Sequence, residues 1–189
     1  MKSSDSLSAA RWAFSCAALL ALVALPSRPA QATLAEGQDA PLFTVPATLG
    51  ENVFTFDLGS ALKKGPVVLY FFPAAFTNGC TQEAHDFADN IDNYKKLGAT
   101  VIGVSGDDIE KLRQFSLNEC RTKFPVASDG DLKIAKDYDA TINFKENLYA
   151  NRVSYVIAKN GKIVYVYNSL DPAKHVENTL DALKKLAKK

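Results

Sequence analysis

The sequence predicts one α/β domain built on a mixed central sheet, with helices on both faces and an N-terminal β-hairpin. Three observations carry this reading. From residue 67 onward, short apolar runs alternate with helical segments, the pattern of strands joined by crossover helices. Towards the C-terminal end, the runs 153–158 and 162–167 flank Lys159-Asn160-Gly161, and Asn-Gly between two apolar runs is a strong hairpin signal. Before residue 67, two extended pieces at 42–45 and 53–56 are parted by Gly50-Glu51-Asn52, which reads as a hairpin laid against the main domain.

The remaining elements follow in chain order. A turn or short helix at 60–64 stops at the Gly65-Pro66 break. Residues 67–72 (Val-Val-Leu-Tyr-Phe-Phe), bounded by Pro66 and Pro73, form a β-branched and aromatic run that reads as a fully buried strand. Residues 80–96 have helical character. A further helix is expected over 107–119, where Ile109, Leu112 and Phe115 recur at helical spacing and Asp107 and Asp108 suit the positive end of the helix dipole. A short helix is expected over 131–138. The last helix should span 172–186, with Asp171 as N-cap, Pro172 at the first helical position, and Val176, Leu180, Leu183 and Leu186 on its buried face.

A chain of 189 residues, 47% hydrophobic and 23% charged, has the balance of a soluble globular domain. Residues 1–32 are a separate matter. Lys2 and Arg11 precede a 14-residue apolar stretch from Trp12 to Leu25, and Ala30-Gln31-Ala32 follows as a small-x-small cleavage site. This is the pattern of a secretory signal peptide, cleaved before Thr33, and it implies export to the periplasm or a similar compartment. The stretch is short for a membrane span of about 20 residues, and Pro26 and Pro29 end it, so no stable membrane association is expected after cleavage. Removing the leader takes three of the 22 basic residues and one of the 21 acidic ones, leaving a near-neutral domain, 33–189. Lys184, Lys185, Lys188 and Lys189 read as a solvated helix end, not a nucleic-acid surface. Cys16 leaves with the leader and sits too early in the apolar run for lipid attachment, so Cys80 and Cys120 remain, an even pair that suggests a disulfide in an exported chain.

Cys80 is the centre of the functional reading. It follows the turn Pro73-Ala74-Ala75-Phe76-Thr77-Asn78-Gly79, and a thiol in the first turn of a helix meets unpaired N–H groups and the positive dipole end, both of which favour thiolate. Free cysteines are more often inert packing, yet the neighbours Thr77, Asn78, Gly79, Thr81, Gln82 and Glu83 are turn formers and polar groups.

The spacing Pro73, Thr77, Cys80 resembles the peroxiredoxin active-site motif, Pro-x-x-x-Thr/Ser-x-x-Cys. The resemblance covers nearly all of the chain after residue 33: the strand before the motif, then 99–105, then 124–129, and finally 152–157 beginning at Arg152. Within the family the chain looks most like the subgroup named for bacterioferritin comigratory protein, or Q subgroup, which is monomeric. The resemblance implies a thioredoxin-like fold and a thiol-dependent peroxidase acting on hydrogen peroxide and organic hydroperoxides. It implies no metal, haem or flavin cofactor, and recycling by a thioredoxin-like or small-thiol reductant.

That chemistry needs a nucleophile, donors for the two peroxide oxygens, and stabilisation of the departing oxyanion. Cys80 is expected to attack and to become a sulfenic acid. The Thr77 hydroxyl and the backbone N–H groups of Gly79 and Cys80 are expected to hold the peroxide, Phe76 to line its pocket, and Pro73 to close the turn and shield the sulfur. Family likeness assigns Arg152 as the cation beside the sulfur and Glu83, grouped with the substrate-side residues, as the group that positions it. In much of the subgroup a resolving cysteine sits five residues after the first, where this chain has His85. That departure leaves Cys120, 40 residues downstream, matching subgroup members that resolve from the later helix; a Cys80–Cys120 disulfide is therefore expected, with a single-cysteine enzyme as the alternative. His85 reads as a helix-surface residue, and one more histidine, His175, makes no metal set. A thiol:disulfide exchanger would ordinarily carry Cys-x-x-Cys, absent at Cys80, and a metal-carrying or chaperone-like domain lacks a ligand set.

Overall fold

The computed structural model describes residues 33–188; the expected leader, with Cys16, lies outside them. The elements are strands β1 (Thr44–Leu49) and β2 (Asn52–Asp57), helix α1 (Leu58–Lys64), β3 (Val67–Phe71), α2 (Asn78–Lys96), β4 (Thr100–Ser105), α3 (Ile109–Asn118), β5 (Val126–Ser128) and α4 (Lys133–Asp137). They continue with β6 (Thr141–Phe144), β7 (Asn147–Ala150), β8 (Val153–Ile157), β9 (Ile163–Asn168), a 3-10 turn (Pro172–Lys174) and α5 (His175–Leu186). Seven strands form one mixed sheet in the order β2-β1-β5-β4-β3-β8-β9. The strands β5, β4 and β3 run parallel, and antiparallel neighbours close both sides.

β3 lies inside the sheet, so all five of its residues are buried and its sequence is continuously apolar. Its side chains still alternate. Val67, Leu69 and Phe71 join the core under α1 and α4, whereas Val68, Tyr70 and the following Phe72 join the core under α2, α3 and α5. Pairing of β3 with β8, Phe71 opposite Val153, brings the end of the first strand beside the start of the second. That register places Arg152 next to the turn that carries Cys80.

Several expectations are refined by this arrangement. The N-terminal hairpin is not a separate layer: β1 pairs with β5, Ala47 opposite Ala127, and extends the sheet. α2 starts two residues before Cys80, and α3 starts at Ile109 because Asp108, accepting from Lys111 N at 2.9 Å, is its cap. The last helix is split. Asp171 accepts from Ala173 N at 3.0 Å and so caps the 3-10 turn, and α5 proper begins at His175. The β6–β7 hairpin had no counterpart in the sequence reading. Its turn is Lys145-Glu146, both left-handed (φ 45° and 66°) without a glycine or asparagine to mark them, and its outer residues are mostly exposed, so neither turn chemistry nor alternation announced it.

Gly65 has extended backbone that any residue adopts, but a Cβ there would lie 2.2 Å from the Gly98 carbonyl oxygen. Gly65→Ala should therefore destabilise the fold by about 1 to 3 kcal/mol through overpacking, read as a lower urea midpoint at unchanged slope. An unchanged midpoint would refute this close packing.

Candidate active site

The chain leaves β3, passes Pro73 and enters α2, with Cys80 as the third helical residue and only 2% exposed. The intervening turn is held from outside. Asp107, on the loop after β4, accepts from Ala75 N at 2.7 Å and is fixed by Ser105 Oγ at 2.8 Å and Lys111 Nζ at 2.6 Å. The sequence reading took Asp107 only as a helix-start acid. Phe76 sits in the left-handed region (φ 65°), which tightens the turn. Thr77 occupies the N-cap position of α2 but does not cap it; its hydroxyl donates to Ala74 O at 3.0 Å. The first main-chain N–H bonded back to the turn is that of Thr81, to Thr77 O, so the N–H groups of Gly79 and Cys80 belong to the set a helix start leaves for other acceptors.

Arg152 is 4% exposed and held at every part of its guanidinium. Nε donates to Leu170 O at 2.9 Å, Nη1 to Glu83 Oε2, and Nη2 to Cys80 Sγ at 3.3 Å. Gly79 permits this approach, because a Cβ at that position would stand 3.1 Å from Nη2. Burial works against the arginine charge, but the facing Glu83 and Cys80 raise its pKa and keep it a cation. Glu83 is completely buried behind the guanidinium, on the far side of it from Cys80 Sγ, and not on the substrate side where it was expected. Burial pushes its carboxyl up to about 8, outweighing the attraction of Arg152.

His175 is the residue that sequence reasoning missed. It is fully buried, with Nδ1 2.8 Å from Ser154 Oγ and 3.5 Å from Glu83 Oε1, and Nε2 2.9 Å from Ser169 O. Burial lowers its pKa to about 4. One signal was available: His175 precedes Thr179 and Leu183 at spacings of four, on the buried face of α5.

Beside the turn lies an apolar cavity of about 330 Å³ lined by Pro73, Ala74, Thr77, Ile142, Phe144, Tyr149 and Leu170. Three of those seven residues, Ile142, Phe144 and Tyr149, come from the unexpected β6–β7 hairpin. Phe76 is not part of it; its ring meets Phe115 edge-on at 5.3 Å, on the α3 side.

Cys120 follows α3, fully buried, and burial pushes its thiol far up. Both cysteines are free. Two contacts tie the Cys120 segment to α2: His85 Nε2 to Glu119 Oε2 at 2.7 Å, and Arg121 to Asp89 at 2.5 Å. His85 thus stands half exposed with a specific partner, more than the plain surface residue expected. Arg121 and Thr122 both have positive φ, 51° and 54°. Among the described residues no cluster of three or more His, Cys, Asp or Glu side chains has the makings of a metal site.

Residues 36–166 match the AhpC/TSA family. Peroxiredoxin Q of Triticum aestivum chloroplasts is 36% identical over 177 residues, covering 90% of this chain and 79% of its own. The Suaeda salsa chloroplast counterpart is 37% identical over 156 residues, 82% of this chain and 70% of its own. Among solved structures, peroxidoxin BcpB from Mycobacterium tuberculosis superposes with a TM-score of 0.73 at 29% identity, covering 80% of this chain and 97% of its own. Xanthomonas campestris peroxiredoxin Q superposes at 0.67 with 28% identity, over 76% and 91% of the two chains.

The buried acid and imidazole set opposing pH dependences. A carboxyl raised from 4.5 to about 8 binds a proton on folding, so its contribution is full at low pH and is lost as pH rises towards 8. An imidazole lowered from 6.5 to about 4 releases one, so its contribution grows between those values. The slopes oppose each other up to pH 6.5, above which only that of Glu83 remains. Unfolding free energy should fall by up to about 2 kcal/mol between pH 6.5 and 8, and Glu83→Gln should remove that fall. Urea melts across this range check it; equal slopes in the two proteins would contradict the assignment.

Proposed function

The chain belongs to the AhpC/TSA family as a peroxiredoxin of the Q kind, a thiol-dependent peroxidase, and from that premise we propose a cycle centred on Cys80. The observation that carries it is the Arg152 guanidinium 3.3 Å from Cys80 Sγ, at the mouth of α2 and behind the Pro73/Thr77 turn. Cys80 attacks as the thiolate, a charge-assisted partner of Arg152, and takes one peroxide oxygen to become a sulfenic acid. The Thr77 hydroxyl, already donating to Ala74 O, accepts from the peroxide, and the N–H groups of Gly79 and Cys80 receive the oxygen that departs. The apolar cavity beside Thr77 suits the carbon tail of an organic hydroperoxide, which extends the substrate range beyond hydrogen peroxide.

Resolution by Cys120 is the second part of the proposal. A buried neutral thiol is a poor nucleophile, so Cys120 must leave its pocket to attack the sulfenic acid and form the Cys80–Cys120 disulfide with loss of water. Its segment is suited to local opening. Arg121 and Thr122 are non-glycine residues in the left-handed region, and the ties to α2 through Glu119 and Arg121 are partly exposed polar contacts worth little each. A thioredoxin-like or small thiol then reduces the disulfide. The protein works as a monomer after export, a reading supported by the subgroup likeness and by the leader pattern of residues 1–32.

Cys80→Ser should abolish peroxide turnover, and Arg152→Ala should slow the second-order reaction with hydrogen peroxide on the order of 100-fold. After one equivalent of peroxide, wild-type mass should fall by two hydrogens, whereas Cys120→Ser should gain one oxygen. A lasting one-oxygen gain in the wild type would instead support the single-cysteine form. Phe144→Ala should lower kcat/KM for cumene hydroperoxide relative to that for hydrogen peroxide by about tenfold, measured with dithiothreitol as reductant. An unchanged ratio would remove the cavity from substrate binding.

A further inference from the structure

We propose that Glu83 and His175 share one proton, and that this proton leaves the pair when Cys80 is oxidised, so that the buried cluster around Arg152 holds a single anion throughout. The inference rests on the reading of Cys80 as the peroxide-reducing thiol and assigns His175 as a positioning residue for it.

The first argument is the tautomer. Nε2 of His175 lies 2.9 Å from Ser169 O, a carbonyl that only accepts, so Nε2 carries the hydrogen. A neutral ring therefore turns the Nδ1 lone pair towards Ser154 Oγ at 2.8 Å and Glu83 Oε1 at 3.5 Å. Glu83 Oε2 is engaged by Arg152, while Oε1 is buried without a hydrogen-bond partner. With Nδ1 already accepting from the Ser154 hydroxyl, an ionised Oε1 would be buried with no donor of its own and beside a ring nitrogen that carries no hydrogen, an arrangement that costs at least as much as a lost hydrogen bond. One proton at the junction removes the conflict.

The second argument is the charge count. The titratable and charged groups facing the pair are Cys80, Asp86 and Tyr94 from α2, Tyr70 from β3, Arg152 just before β8, Tyr167 from β9, whose ring stands edge-on to His175 at 4.7 Å, and Asp171 before the 3-10 turn. Arg152 is the one cation in that set, and its Nη1 and Nη2 point at Glu83 and at Cys80. One guanidinium balances one anion. With the sulfur ionised, Glu83 is the acid, its hydroxyl aimed at Nδ1; burial disfavours both the carboxylate and the imidazolium, which places the proton on the oxygen.

Oxidation reverses the allocation. Cys80–S⁻ + ROOH + Glu83–COOH gives Cys80–SOH + ROH + Glu83–COO⁻. The S–O bond forms, the O–O bond breaks, sulfur loses two electrons and the peroxide gains them. The peroxide's own hydrogen stays with the sulfenic oxygen, the departing alkoxide takes a proton from solvent, and Glu83 returns one to it, so that the net uptake is zero. The anion has moved from one end of the guanidinium to the other.

The test uses Cys120→Ser, which stops at the sulfenic acid. One equivalent of hydrogen peroxide is added near pH 7 in weak buffer with a pH indicator, in stopped flow, and mass spectrometry confirms the gain of one oxygen. With Glu83 present, proton uptake should be near zero; with Glu83→Gln, whose amide mimics the protonated acid but cannot release a proton, uptake should approach about one per oxidised sulfur. Equal uptake in the two proteins overturns the proposal. Should Glu83→Gln not fold, the ring nitrogen resonances of His175 decide in the Cys120→Ser protein: a neutral Nε2–H ring whose Nδ1 signal moves on oxidation supports the shared proton, and an unmoved signal overturns it. If no oxygen is gained, the peroxidase reading itself has failed, a separate result.

Discussion

One buried cation organises this protein. Arg152 is almost wholly removed from water, and a guanidinium in that position is tolerable only if its N–H groups are engaged and its charge is met. The fold provides those partners from three directions: Leu170 O from the loop after β9, Glu83 from the second turn of α2, and the Cys80 sulfur from its first turn. Each depends on the β3–β8 register, since shifting it by one residue would turn Arg152 to the other face. The absence of a side chain at Gly79 and the tether from Asp107 to Ala75 then become comprehensible together: one lets the guanidinium close on the helix, and the other fixes the turn it closes on.

How legible this was depended on whether a feature was local in sequence. The strand before the motif, the turn, the helix carrying Cys80 and the Asn160-Gly161 hairpin are written in consecutive residues, and each was readable to within about two positions. Arg152 and Glu83 were placed through family resemblance, because 69 residues separate them and no spacing rule joins them. His175 was passed over for the same reason. Its partners Ser154 and Glu83 come from a different strand and a different helix, and only the three-dimensional packing reveals a histidine on an apolar face as part of the charge network. The β6–β7 hairpin failed for another reason: positive φ at Lys145 and Glu146 is imposed by the surrounding fold and not encoded by glycine or asparagine, so the wall of the cavity beside Thr77 was invisible.

The two cysteines show how environment, not residue type, sorts function. Both are buried, yet Cys80 receives Arg152 Nη2, whereas Cys120 lies in apolar packing whose effect is to hold it as the neutral thiol. In the proposed cycle only the first meets the peroxide. The proposed cycle therefore contains its own order of events. Cys120 contributes nothing until its segment opens, and nothing calls for opening until Cys80 has been oxidised.

That order has an electrostatic side. The contact between Arg152 and the Cys80 sulfur ties the first turn of α2 to the guanidinium, and in the proposed cycle the conversion of thiolate to sulfenic acid removes its negative end. If the charge simply vanished, Arg152 would be left inside the protein without a counter-charge, a costly state for a buried cation. If a carboxylate appears at Glu83 in the same step, the guanidinium keeps a full partner and stays where it is, while the start of α2 loses its charged tie to it. The loosening is then confined to the helix turn that carries Cys80, the turn that the opened Cys120 segment must reach. A buried acid and a buried imidazole, unhelpful to stability on their own, are in this view what lets one end of the helix yield without the sheet behind it giving way.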